Sequence, residues 1–227
     1  MASLKEIKGR IASVRTTLKI TSAMKMVASA KLHKAQQAIG NMLPYEKQLH
    51  RMLVDLISAA EAKGKGTSEY SLTTARHVRK VAIVAFASNS SLCGAFNSNA
   101  VRTALEVVNE YVAAGFSSSD ITVYSVGRKM AEAMKKAGFG SPEDFTSMSA
   151  NPSYEAASAL AYELLNGFIE GRFDRVELVF NHFHSTSSQP SMRQTFLPMS
   201  IPQKEESMLD PGDLIVEPSV QELMEIL

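Results

Sequence analysis

The fold is decided by the stretch from Leu4 to Ala60, which reads LKEIKGRIASVRTTLKITSAMKMVASAKLHKAQQAIGNMLPYEKQLHRMLVDLISAA. Read in heptads from its first residue, the stretch places apolar side chains at the a and d positions, and only Thr21, Lys25 and Glu46 interrupt them. A period of 3.5 held for so long is typical of a coiled coil. The sequence therefore predicts one long helix whose apolar seam lies along a partner. The seam is defined by Leu4, Ile7, Ile11, Val14, Leu18, Leu32 and Ile39.

The ends and the middle of this helix carry their own signals. Ser3 and Glu6 have the spacing of a capping box, in which each side chain accepts the other's backbone N–H. Pro44 removes one helical hydrogen bond, but the heptad phase is the same on both sides of it, so we expect a kinked, continuous helix. The glycines of the KGKG run at 63–66 should end the helix. The predicted domains are a coiled-coil helix (1–62), a linker (63–76), an α/β domain (77–212) and the start of a truncated C-terminal helix (213–227).

Charge is distributed unevenly along a chain whose net charge is only +1. The segment 7–45 contains no acid, and its bases are Lys8, Arg10, Arg15, Lys19, Lys25, Lys31 and Lys34. The segment 205–225 contains seven acids and no lysine or arginine. A basic, acid-free helix predicts an acidic protein, a nucleic acid or an anionic surface as its partner.

The composition excludes several classes of protein. The single cysteine, Cys93, excludes an internal disulfide and fits a reducing compartment. No apolar run has the length of a membrane span, and the first residues lack the apolar core of a secretory signal. We therefore expect no direct insertion into a membrane.

Apolar runs of strand length alternate with helical patterns after Arg79. This alternation predicts an α/β fold class: the long N-terminal coiled-coil helix plus a Rossmann-like domain with a mainly parallel sheet and flanking helices. A final strand is expected at an edge of the sheet, because Pro198 cannot donate to a ladder. The predicted strands are Val81–Ala87, Ile121–Val126, Arg175–Phe180 and Gln194–Met199. The predicted helices are Asn97–Ala114, Arg128–Ala137 and Ser153–Glu170.

Three features are weak signals of a ligand-binding, metal or catalytic site. The loop Ser88–Asn99 follows a strand where open α/β sheets bind ligands, but it has neither glycine-rich phosphate motif. His182 and His184 have no acid or third histidine near them in sequence, so we expect no metal. Cys93 has no evident base, which favours a small buried residue at a tight turn. We expect no catalytic residue and no cofactor, and a nucleotide-binding enzyme using the Ser88–Asn99 loop stays an alternative.

A basic coiled-coil nucleic-acid-binding protein is the other alternative. Lys8, Arg15, Lys19 and Lys25 lie along one flank of the predicted helix. However, the first forty residues contain no aromatic side chain, and a basic zipper keeps its basic region outside its heptads. Nucleic acid is therefore the less favoured partner.

The last residues predict a helix that begins and does not continue. Ser219 and Glu222 have the spacing of a second capping box, and the apolar face after them is only two turns long. Isolated helices of that length are marginal. We expect that a long second helix, antiparallel to the first, is missing from this chain.

Four separated motifs make a family resemblance specific. The segment Ile11–Gln36, IASVRTTLKITSAMKMVASAKLHKAQ, resembles the N-terminal signature of the gamma subunits of F-type ATP synthases. The turn SLCGAFN (Ser91–Asn97), the segment VGRKM (Val126–Met130) and the stretch FDRVELVFNHFHS (Phe173–Ser185) are similar to that family too. The chain departs from the family at Asn89, Ser90 and Ser91, where an Asp, a basic residue and often a Gly are usual.

The resemblance implies a non-catalytic rotor shaft. It implies the alpha and beta subunits of the catalytic ring, the epsilon subunit and the membrane c-ring as partners, with proton flow driving rotation and ATP synthesis in beta. It also implies a peripheral place on the cytoplasmic face of the plasma membrane. The residues expected to contact the ring are Lys19, Thr21, Met24, Lys25 and Lys31. Because the chain does not supply a second long helix, we expect the isolated chain to self-associate.

Overall fold

The computed structural model describes residues 3–62, 72–73, 75–199 and 217, with side chains in the first helix described as far as Asp55. The chain divides into two compact units, residues 1–59 with 204–227 and residues 60–203. The predicted C-terminal helix with its Ser219–Glu222 box lies outside the described residues, as do the glycines expected to end the first helix.

Helix α1 (Leu4–Ala62) confirms the long N-terminal helix and runs through Pro44 without interruption. At its start the backbone N–H of Glu6 donates to Ser3 Oγ at 3.3 Å, which is one half of the predicted capping box. The Glu6 carboxylate accepts a hydrogen bond from Arg10 at 2.8 Å. It therefore serves an i,i+4 ion pair one turn further along the helix.

A four-stranded sheet forms the centre of the second unit. Its strands are β1 (Val81–Phe86), β2 (Ile121–Val126), β3 (Arg175–Asn181) and β4 (Ser191–Leu197), in the spatial order β2-β1-β3-β4. Strands β1, β2 and β3 are parallel, which confirms the mainly parallel sheet, and β4 is antiparallel to β3. The prediction for β4 was displaced toward the C-terminus. Three of its first four residues are polar and the strand lies at an edge of the sheet, so this part lacks the apolar run of a buried strand.

Helices cover both faces of the sheet. They are α2 (Phe96–Ala113), α3 (Arg128–Lys136), α4 (Thr146–Ala150) and α5 (Tyr154–Ile169). Helices α2 and α3 share one apolar core with Ile83, and α5 shares the other with Val176. The sequence missed α4. The buried stripe of α2 runs through Val108 and Tyr111, and Val112 is 46% exposed.

The junction between β2 and α3 depends on Gly127. Its φ of +100° is a conformation that other residues rarely adopt, and a Cβ there would lie 2.1 Å from the carbonyl oxygen of Ala87. This close approach brings the start of α3 against the end of β1. It therefore fixes the loop that follows β1.

Candidate interaction surface of helix α1

The seven seam residues are all exposed. Their side chains range from 37% exposed at Ile39 to 71% at Leu4. A second apolar stripe, formed by Ile20, Met24 and Val27, is at least half exposed. Large apolar surfaces of this kind mark places where soluble proteins bind a partner. The physical property that the sequence predicted for this helix, an apolar stripe open to a partner, is therefore present.

The three bases expected to contact a partner have no ion pair among the described residues. Lys19, Lys25 and Lys31 are exposed, and within the part of α1 that the structure describes no carboxylate lies within ion-pair distance of them. The paired base of this helix region, Arg10, is held by Glu6 at 2.8 Å. The charges of Lys19, Lys25 and Lys31 are thus available to an acidic surface.

The threonines of α1 bond to their own helix, which the sequence reading missed. Thr16 and Thr17 each donate to the carbonyl oxygen four residues earlier, at 3.1 Å. Thr21 Oγ1 lies 2.9 Å from the carbonyl oxygen of Thr17 and 3.1 Å from that of Leu18. A hydroxyl group bonded in this way has no hydrogen left to donate to a neighbouring protein, although its oxygen can still accept. Thr21 can therefore fit an apolar seam despite its polar group.

The loop after β1, the alternative nucleotide site, is bonded to itself. Ser88 Oγ lies 3.0 Å from Asn97 Oδ1 and 2.8 Å from the carbonyl oxygen of Ser90. Asn97 Nδ2 donates to the same carbonyl oxygen at 2.7 Å and to Cys93 Sγ at 3.0 Å. Cys93 is half-buried, so the expectation of a buried cysteine was wrong. The turn SLCG stands out toward solvent, with Leu92 exposed at its tip.

A cavity of about 640 Å³ opens at the carboxyl ends of β1 and β3, beside this loop. Its walls are mainly apolar and include Phe86, Phe96, Met148, Leu178 and Phe180, and no charged residue lines it. Phosphate sites need cations or a row of free backbone N–H groups. The residues that line the cavity supply no cation.

The described residues contain neither a cluster of metal ligands nor a helix that could span a membrane. His182 and His184 are exposed after β3, and among described residues no three metal-ligating side chains come together. None of the helices within the described ranges combines the length and apolar character that a bilayer crossing requires.

A buried carboxylate in the sheet was also missed from the sequence. Glu177 on β3 is 1% exposed and accepts two hydrogen bonds from Arg193 on β4, at 2.6 and 2.9 Å. Tyr111 on α2 donates to it at 2.6 Å, and Arg193 also pairs with Glu110. Burial, followed by the bond to Glu177, raises the pKa of Tyr111. The cluster ties α2 and β4 to β3.

Comparison with known proteins identifies the family. The family model described as ATP synthase matches residues 3–227. The ATP synthase gamma chain of Phocaeicola vulgatus is 51% identical over 226 residues, covering 99% of this chain and 76% of the relative. That of Bacteroides thetaiotaomicron is 47% identical over 235 residues, again covering 99% and 76%. The chain thus spans about three quarters of the length of these relatives.

A more distant likeness comes from solved structures. The central stalk and c-ring structure of the Tetrahymena thermophila mitochondrial ATP synthase matches at a TM-score of 0.45 and 18% identity, covering 79% of this chain and 84% of the matched chain. The family model and the curated relatives carry the assignment. With its long seam-bearing helix and its α/β unit, the chain belongs to the ATP synthase gamma chain family.

Proposed function

We propose that this chain is the central-stalk rotor shaft of a proton-translocating F-type ATP synthase. In this role, proton-driven rotation of the membrane ring turns the shaft, and the shaft changes the conformation of the catalytic beta subunits. The observation that carries the proposal is α1, a helix of 59 residues whose apolar seam is exposed. A helix of that length extends about 85–90 Å, which suits a shaft.

The seam residues and the basic residues contribute different amounts to the free energy of binding a partner. Burying a Leu or Ile side chain is worth about 1.5–3 kcal/mol, whereas an exposed ion pair contributes about 0–1 kcal/mol. The seam therefore holds α1 against its partner helix, and the bases orient the outer face toward an acidic surface.

Five residues of α1 are proposed to contact the ring. Lys19, Met24 and Lys31 lie beside the seam, and Lys19 and Lys31 would face an acidic segment of the beta subunits. Thr21 and Lys25 lie at seam positions. They can reach the ring only where the covering helix leaves them open.

The other parts of the proposal follow from the same role. The chain itself is non-catalytic, and its partners are the alpha and beta subunits, the epsilon subunit and the c-ring, on the cytoplasmic face of the plasma membrane. The α/β unit is Rossmann-like, supported by its parallel β2-β1-β3 order with helices on both faces. We keep 1–62, 63–76, 77–212 and 213–227 as the proposed domains. The isolated chain is proposed to self-associate through its seam.

Cross-linking tests this function directly. Cys93→Ser gives a chain without cysteine, and Met24→Cys then places one thiol beside the seam. The chain is assembled with alpha and with beta carrying a cysteine in its acidic segment. Oxidation should link the two subunits and stop ATP hydrolysis, and reduction should restore it, because a fixed shaft cannot turn.

Tyr154→Cys in the same background is the matched control. Tyr154 is 82% exposed but lies on α5, in the other unit. It should form no link to that segment of beta. Full hydrolysis with Met24→Cys completely linked, or no link at all, would overturn the proposal.

A further inference from the structure

The seam of α1 contains two charged residues of opposite sign in equivalent places. Since α1 is continuous from Leu4 to Ala62, one heptad frame covers both. Lys25 and Glu46 both occupy a positions, and they are 21 residues, or three full heptads, apart. At the usual helical rise the two charges are about 31 Å apart along the axis.

Each charge interrupts a run of apolar side chains. The seam residues one heptad away from Lys25 are Leu18 and Leu32, which are 63% and 42% exposed. Glu46 stands between Ile39 and the half-buried Leu53. Both charged residues are exposed, and neither has an ion-pair partner within the described part of the chain.

A partner helix that covers the seam needs charged residues opposite Lys25 and Glu46. A purely apolar helix laid over the seam would bury both charges without partners, which is among the most unfavourable changes in a protein interface. A helix with an acid at the level of Lys25 and a base at the level of Glu46 would satisfy both. Single charged residues at a positions are known to select register and partner in coiled coils.

We propose that Lys25 and Glu46 are register keys, meaning seam charges that accept one alignment of the covering helix. This inference rests on the proposed function and names the chemistry of the partner. The covering helix carries an acid and a base on its own seam, three heptads apart, in the order that meets Lys25 and Glu46. Because the two keys differ in sign, reversing that helix brings like charges together, and sliding it by one or two heptads places every charge opposite apolar seam positions.

The inference also gives Lys25 a different role from its neighbours. Lys19, Met24 and Lys31 stay on the outer face toward the ring, while Lys25 faces the covering helix. A second copy of this chain in parallel, in-register pairing would place Lys25 against Lys25 and Glu46 against Glu46. Charge complementarity therefore favours a helix with the stated charge order over a parallel second copy.

Two synthetic helices test the register keys with the full chain. Both have leucine at their seam positions, and the keyed helix replaces two of these by Lys and Glu, three heptads apart, in the order for antiparallel pairing. The unmodified chain should bind the keyed helix at least tenfold more tightly than the all-leucine helix. The variant carrying Lys25→Leu and Glu46→Leu should reverse that preference.

The control is the variant carrying Lys19→Leu and Lys31→Leu, which removes two positive charges outside the a and d positions and should keep the preference for the keyed helix. Equal affinity of the unmodified chain for both helices, or an unchanged preference in the Lys25→Leu, Glu46→Leu variant, would overturn the register keys alone. Failure of both helices to bind any variant would overturn the seam itself, and with it the proposed function.

Discussion

Asn89 Oδ1 accepts the backbone N–H of Arg128 at 2.7 Å, which joins the loop after β1 to the first residue of α3. The backbone carbonyl of Asn89 accepts the guanidinium of the same arginine, also at 2.7 Å. Asn89 Nδ2 donates to the carbonyl oxygen of Thr146 at the start of α4. One amide side chain thus accepts from one helix and donates to another.

Two substitutions of Asn89 measure the contributions of these two hydrogen bonds to stability separately. Asn89→Asp keeps the acceptor at the positive end of α3 but has no hydrogen to donate to Thr146. We expect the free energy of unfolding to fall by about 1 kcal/mol, measured by urea unfolding followed by tyrosine fluorescence. Asn89→Ala loses both bonds and should be less stable still. An Asp variant as stable as the unmodified chain would show that the bond to α4 contributes nothing.

Gly127→Ala should destabilise the α/β unit strongly. The new Cβ would meet the carbonyl oxygen of Ala87, and the backbone conformation is unfavourable for alanine. Together these effects should cost about 2–5 kcal/mol, measured by the same unfolding curve. Gly115→Ala is the matched control, because its φ of +95° is similar but nothing lies within 4 Å of its Cβ. Equal losses in the two variants would argue against the close contact as the cause.

Glu177→Gln should show how much the ion pair with Arg193 contributes to the free energy of unfolding. It removes the buried negative charge that pairs with Arg193, while the exposed ion pair of Arg193 with Glu110 stays, so we expect a loss of about 1–3 kcal/mol in the free energy of unfolding. Glu132→Gln is the comparison, since Glu132 pairs with Lys129 at 2.9 Å on an exposed surface of α3. That variant should unfold almost as the unmodified chain does. Similar losses from both would contradict the importance of burial.

Alkaline pH should weaken the α/β unit through two tyrosines. Burial, followed by a bond to a glutamate, raises the pKa of both Tyr111 and Tyr124 in the folded chain. Above about pH 10 an unfolded tyrosine loses its proton while these two keep theirs. The free energy of unfolding should therefore fall as pH rises from about 10 toward the folded pKa values.

Tyrosinate absorbance during a pH titration checks this order. Of the six tyrosines, Tyr111 and Tyr124 should ionise only above the ordinary pKa of tyrosine. Tyr124→Phe should remove part of this late change. A single native transition containing all the tyrosines would contradict the prediction.

The exposed seam should make the isolated chain associate. Light scattering is expected to give a mass that rises with concentration, because association hides apolar side chains from water. Leu18→Glu should shift the population toward monomer. Ala30→Glu introduces the same charge on the outer side of α1 and should have little effect. A compact monomer at every concentration would contradict seam-driven association.

Sequence reasoning succeeded where one periodic signal dominates. The heptads predicted α1, and the apolar run from Val81 predicted a buried parallel strand. It failed where the signal is short or depends on distant residues. Helix α4, with the sequence TSMSA, is too short and polar to show a helical period. Its position depends on Asn89 and on Ser149, which donates to the carbonyl oxygen of Ala87 at 3.0 Å.

The ion pair of Glu177 shows the same limit. The sequence offered one signal for it, a carboxylate inside the apolar strand RVELVF. Its partner Arg193 lies on β4, whose predicted range began three residues after its true start and so excluded Arg193. Pairing of β3 with β4 brings the two together. For α1, by contrast, local periodicity was a sufficient signal to predict the helix.

The hydroxyl groups of Thr16, Thr17 and Thr21 bear on the proposed rotation of α1 against its neighbours. Each donates its hydrogen to a carbonyl of its own helix, so none of the three has a hydrogen left to donate to a stationary subunit. In the proposed shaft, a hydrogen bond to the surroundings would have to break at every turn. Donors that are already satisfied inside α1 spare the proposed rotation that cost.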